Sequence, residues 1–114
     1  MLETGDKLLV AHRRLFEKDE PRYFVGEVLA YENGLAKIEG HTFVRDVMTG
    51  NFVRKNEMRV KIMSIASGSF LVYQLPNDAD LNYAKFELDD RELVLSDGQN
   101  LRMNMAESPV RGEI

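Results

Sequence analysis

Apolar and polar residues alternate along much of this 114-residue chain with a period of two, the spacing of strands that bury one face. The clearest case lies at residues 22–45. Two alternating runs flank Asn33-Gly34, and Asn-Gly is the strongest short-range hairpin signal, because a type I′ turn needs φ > 0 at both central residues. With that pair at the turn, Tyr31 is expected opposite Ala36, Leu29 opposite Ile38 and Val25 opposite Thr42, which makes a mainly apolar face. The other face then pairs Ala30 with Lys37, Val28 with Glu39, Gly26 with His41 and Phe24 with Phe43.

The same reading extends in both directions. Residues 7–16 form a strand, and the polar turn 17–21 ends at Pro21. Residues 46–51 read as a longer hairpin loop with Gly50 in the left-handed position, and 52–55 pair briefly beyond it. In 58–63, Met58, Val60 and Ile62 are expected inward and Arg59 and Lys61 outward. The run 69–75 is rich in β-formers and is expected to be nearly fully buried. Asn77 or Asp78 caps one short helical turn through about residue 83. Residues 86–88 form a strand fragment ended by Asp89-Asp90, and 92–96 pairs with 99–103 around Asp97-Gly98. The pattern is all-β: a small antiparallel barrel or sandwich of six to eight short strands with at most one short helical turn. One domain covers 1–106, followed by a flexible C-terminal tail at 107–114.

Gly26-Glu27-Val28 followed by Asn33-Gly34-Leu35-Ala36-Lys37-Ile38-Glu39-Gly40 resembles the G-x-V…G-[IL]-A-x-[IV]-x-G hairpin of the N-terminal β-barrel domain of rotary ATPase α and β subunits. The likeness is confined to residues 26–40. It implies a small closed barrel that packs against neighbours in a ring. It carries over no catalytic residue, and the chain holds no G-x-x-x-x-G-K-[ST] phosphate loop.

Composition narrows the chemistry. There is no cysteine, which removes disulfides, thiolate catalysis and cysteine-ligated zinc. No run approaches the ~20 apolar residues of a membrane-spanning helix, and residues 1–11 do not read as a signal peptide, so a cytoplasmic location is expected. The net charge of −4 gives nucleic acid no bulk attraction. It is unevenly placed: residues 1–64 hold 11 Lys/Arg against 10 Asp/Glu, and residues 65–114 hold 4 against 9.

Within 41–64, Arg45, Arg54, Lys55, Arg59 and Lys61 stand beside Phe43 and Phe52, the one grouping of cations with aromatic rings. Small barrels that hold single strands stack bases on such rings and track phosphates with such cations. The plainer alternative is that both rings are buried and the cations are ordinary outward positions. His12 and Arg14 share a strand face and form a candidate anion contact, or else a solvated surface paired with Glu17, Asp19 and Glu20. His41 is a candidate polar site or a packing histidine filling the gap opposite Gly26. Asp78-Ala79-Asp80-Leu81-Asn82 imitates the start of a calcium loop, but Tyr83 stands where glycine is needed and Asp89 where a bidentate Glu is needed. No metal site, catalytic triad or cofactor is read from the chain.

The expected role is a non-enzymatic binding or assembly module that self-associates, with a protein partner as a further option. The basic middle meeting the acidic C-terminal third would make that association weaken with salt. The alternatives are a single-stranded nucleic-acid-binding barrel and a small enzyme using His12 or His41.

Overall fold

The hairpin at Asn33-Gly34 forms as its sequence requires, with φ of 49° at Asn33 and 81° at Gly34. In the computed structural model, which describes residues 2–12 and 21–105, it joins two of the longest strands. The described residues form eight antiparallel strands: β1 (Lys7–His12), β2 (Arg22–Glu32), β3 (Leu35–Arg45), β4 (Phe52–Ser64), β5 (Phe70–Leu75), β6 (Lys85–Asp89), β7 (Glu92–Ser96) and β8 (Arg102–Asn104). They make one five-stranded sheet in the order β4-β3-β2-β1-β5 and one three-stranded sheet in the order β6-β7-β8. There is no helix among the described residues, so the short turn expected at 77–83 is irregular chain. The tail expected at 107–114 lies outside the described residues.

The closed barrel is not formed. Both sheets are open, and nothing in the architecture supports the rotary-ATPase barrel that the hairpin resembles. The large sheet is nevertheless bent. Its two edge strands, β4 and β5, are four strand spacings apart, about 19 Å if the sheet were flat. They are joined by residues 65–69 alone, where the Ser67 hydroxyl turns back to donate to the Ser64 carbonyl at 3.1 Å. A link that turns on itself cannot span that width, so the edges converge without pairing.

Each face of the bent sheet has its own core. One is enclosed by the curvature and gathers Leu8, Val10, Phe24, Val28, Ala36, Ile38 and Met63, with Ile65, Phe70 and Val72 from the two converging edges packed against it. The other lies between the sheets, where Leu9, Val25, Phe43 and Leu75 meet Ala79, Ala84, Phe86, Leu95 and Leu101. Phe43 is 2% exposed and packs edge-on against Phe86 with ring centroids 5.1 Å apart. Replacing it with alanine would cost about 3–5 kcal/mol on the usual scale for a buried ring.

The strand pairing departs from simple alternation at Leu29. Tyr31 does pair with Ala36 and Ala30 with Lys37, but Val28 then faces Ile38, because the register shifts between Val28 and Ala30. Beyond this bulge Gly26 pairs with Gly40, Val25 with His41, Phe24 with Thr42 and Tyr23 with Phe43. The extra residue puts Val28 and Tyr31 on one face, although three positions apart, and both join the enclosed core. Leu29 is left partly exposed.

β4 also overturns an expectation. It runs unbroken through what alternation divides into two strands, and its orientation is inverted: Met58, Val60 and Ile62 are 56%, 50% and 69% exposed. Lys61, expected outward, is half-buried with its ammonium 4.7 Å from the centroid of the Phe24 ring. The second sheet stops short of this end of the large one, so the apolar side of β4 has no cover among the described residues. β5, expected to be nearly fully buried, is only half-buried because it is the other edge of the large sheet. At the other end of the chain, residues 97–101 form a loop closed by Asp97 instead of a two-residue turn.

Candidate functional site

The fold splits the sequence grouping: Arg45 and Arg54 stay with Phe43 and Phe52, while Lys55, Arg59 and Lys61 go to the other side of β4. Phe43 and Phe52 both turn into the core between the sheets, where Phe52 packs against Tyr23 and Phe86 at centroid distances of 5.3 and 5.6 Å. Phe43 is closed to a base, and Phe52 is half-buried with one side on a surface cavity. Arg45 ends β3 at a separate cavity of about 210 Å³ beside Phe52, Glu87 and Leu88. Arg54 lies on the face shared with Phe43 and donates to the Asn82 carbonyl at 3.1 Å, tying β4 to the loop before β6.

Lys55, Arg59 and Lys61 remain together on β4, and the fold adds Arg22 to them. Burial holds the Lys61 ammonium below the usual lysine range, and the charges of Arg59, Arg22 and Lys55 push the same way. Arg59 forms an exposed ion pair with Glu57 at 2.7 Å. His12 joins this region from β1, its ring edge-on to Phe70 at 4.7 Å. Lys61, Arg22 and His12 thus line one cavity of about 390 Å³ at the mouth of the enclosed core, with Phe24, Phe70, Val10 and Met63 as apolar wall and Thr42 contributing a hydroxyl. Arg14 lies outside the described residues.

His41 is placed elsewhere. It sits between Val25 and Met58 on the opposite face, so it does not fill a gap beside Gly26. Burial lowers its pKa, and the nearby Arg54 lowers it further. Around it a cavity of about 430 Å³ collects Lys7, Glu27, Glu39, Asp78 and Asp80. The Lys7 ammonium donates to the Ala79 carbonyl, which anchors β1 to the loop carrying the two aspartates. His12 and His41 are therefore on different faces and cannot share a reaction. No group of three or more metal-ligating side chains is present among the described residues.

The calcium-like stretch 78–82 is a structural loop. The Asp80 carboxylate accepts from the Asn82 amide at 3.0 Å, and the Asn100 side chain donates to the Asp78 carbonyl at 3.1 Å. Its centre is Asp97. One oxygen of that carboxylate accepts from the amides of Gln99, Asn100 and Leu101 at 2.8–2.9 Å, and the other accepts from the Asp80 amide at 2.8 Å. Those donors, that of Asp80 first, lower its pKa to about 2.

Sequence reasoning missed Arg22, Phe24, Phe70 and Thr42 at the basic cavity. Arg22, Phe24 and Thr42 share a face of β2 and β3 only because the bulge at Leu29 shifts the register, and Phe70 arrives from the other edge of the sheet, so no local spacing marks them. A scan against protein-family models matches no family, and searches of the curated proteins and of the solved structures return no match. No helix among the described residues is long and apolar enough to cross a membrane.

Proposed function

We propose that this domain is a non-enzymatic assembly unit that adds the free edge of β4 to a second copy of itself. The observation that carries this reading is the apolar row Met58, Val60 and Ile62, exposed on one side of a 13-residue edge strand. An edge strand presents unpaired amides and carbonyls, and soluble proteins ordinarily blunt such edges with charge. β4 carries charge on its other side, at Arg59 and Lys61, while the row facing the short end of the second sheet is apolar. Leu35 on β3, 49% exposed, extends that patch, and Ile62 and Leu35 line a shallow hollow with Ala30. Pairing of two copies would satisfy the backbone edge and cover the row in one step, and a two-fold arrangement is the commonest way to close such a contact.

Solution mass by light scattering after size exclusion, across a concentration series at low and high salt, tests the reading. The expected result is a defined oligomer for the native chain and a monomer for Val60→Lys, with unchanged circular dichroism. A native chain that stays monomeric at every concentration and salt overturns it.

A further inference from the structure

We infer that the cavity lined by His12, Arg22 and Lys61 is a binding site for the phosphate of a nucleotide, free or within a single strand. Three observations combine. The cavity, about 390 Å³, lies within the range of small-molecule sites and exceeds what a bare inorganic anion would fill. Its polar groups are cationic or neutral: Arg22, Lys61, His12 and the Thr42 hydroxyl, with no carboxylate in its lining. Among the described residues, no Asp or Glu forms an ion pair with Arg22 or Lys61.

The third observation is electrostatic. Lys55, Arg59 and Arg22 are near enough to Lys61 for each to disfavour its charged form, and burial disfavours it further. Arg59 is offset by its ion pair with Glu57, but Arg22 and Lys55 have no such partner among the described residues, and Lys61 is repelled by its neighbours and partly stripped of water. An anion placed among them relieves both penalties. A planar guanidinium and an ammonium supply the donors that phosphate oxygens accept.

The apolar wall selects what the phosphate is attached to. Phe24, Val10 and Met63 form a buried floor, and half-buried Phe70 with exposed Ile62 forms the open apolar rim, so a ligand with an apolar or aromatic body covers surface that a mineral anion leaves wet. Past the cavity the same side of β4 carries Arg59, paired with Glu57, and then Lys55, so Lys55 is the β4 cation left to meet a polynucleotide backbone there. This site differs from the cation-and-ring grouping in the sequence, since its rings are Phe24 and Phe70 and its first cation is Arg22.

The test is fluorescence anisotropy of a labelled oligothymidylate with the full chain at low ionic strength, with an unlabelled mononucleotide and inorganic phosphate as competitors. Binding is expected to weaken about tenfold in Arg22→Gln and again in Lys61→Gln, each the loss of one charge-assisted contact. The log–log salt slope is expected to fall by about one for each cation removed. Lys37→Gln, on the opposite face, controls for bulk charge and leaves the affinity unchanged. Displacement by the mononucleotide identifies a free nucleotide as sufficient, displacement only by unlabelled oligothymidylate identifies the polynucleotide, and displacement by inorganic phosphate as effective as by the mononucleotide overturns the role of the apolar rim. Absence of any anisotropy change at low salt overturns the inference. So does equal binding by the native chain and a folded Arg22→Gln, which is exposed enough to replace without disturbing the core. Oligomer mass is read separately, so this result and the assembly result fail independently.

Discussion

Gly26 and Gly40 face each other across β2 and β3, and a Cβ built on Gly40 would lie 2.0 Å from the Val25 carbonyl oxygen. The same atom would be 2.5 Å from the Gly26 Cα. The obstruction is backbone on both counts, so no rotamer change can relieve it. A facing glycine pair in the middle of two long strands lets them approach where the sheet bends. Gly40→Ala is expected to destabilise the fold by about 2–3 kcal/mol, the scale of forced overpacking, as read by urea denaturation. An unchanged midpoint would mean that the strands separate there at little cost.

Leu29 sets that pairing. The bulge it creates brings Gly26 opposite Gly40, where simple counting back from the turn puts His41. Deleting Leu29 would leave Val28 opposite Ile38 and Ala30 opposite Lys37 in an unbroken ladder, with every other inward residue still inward. The deletion is therefore expected to fold, at a smaller cost than Gly40→Ala. Deleting Glu27 instead would take Gly26 out of register with Gly40 and is expected to abolish the cooperative thermal transition. Thermal melts of the two deletions separate these outcomes.

The turn was legible in the sequence and the bulge was not. Asn33-Gly34 announces itself through backbone chemistry confined to two residues. A bulge is favoured by what two strands gain on both faces together, and here the gain is burial of Val28 and Tyr31 in one core. The orientation of β4 escaped for a related reason. Alternation shows that Met58, Val60 and Ile62 share a side, but which side is covered depends on where the second sheet ends. Phe24 and Lys61, 37 positions apart, become neighbours only through the bend.

The β6–β7 turn was only half legible. Its central residues, Asp90 and Arg91, have φ of 53° and 66°, the left-handed values of a type I′ turn, yet neither is glycine. Aspartate tolerates that conformation better than arginine, whose Cβ crowds the following carbonyl. Arg91→Gly is expected to stabilise the protein by about 1 kcal/mol, the usual cost of a left-handed residue with a side chain. A higher melting temperature in calorimetry would bear this out, and a lower one would show that the Arg91 side chain contributes more than its backbone costs.

Asp97 is expected to set the lower end of the stable pH range. Its carboxylate, held at about 2 against an ordinary 3.8, binds protons less readily in the folded state than in the unfolded one. Its contribution to stability is therefore complete above about pH 4 and is lost as the pH falls through about 2. Protonation would put a hydrogen on a group that four amides approach as donors, loosening the loop 97–101 and its tie to Asp80 together. Asp97→Asn imposes a comparable conflict at neutral pH, because one of its two ends becomes an NH₂ that cannot accept. Melting temperatures measured from pH 7 to pH 2 are expected to fall steeply below pH 4 in the native chain. The Asn variant is expected to melt several degrees lower at pH 7 and to lose less on acidification. Parallel curves for the two proteins would show that another group sets the acid limit.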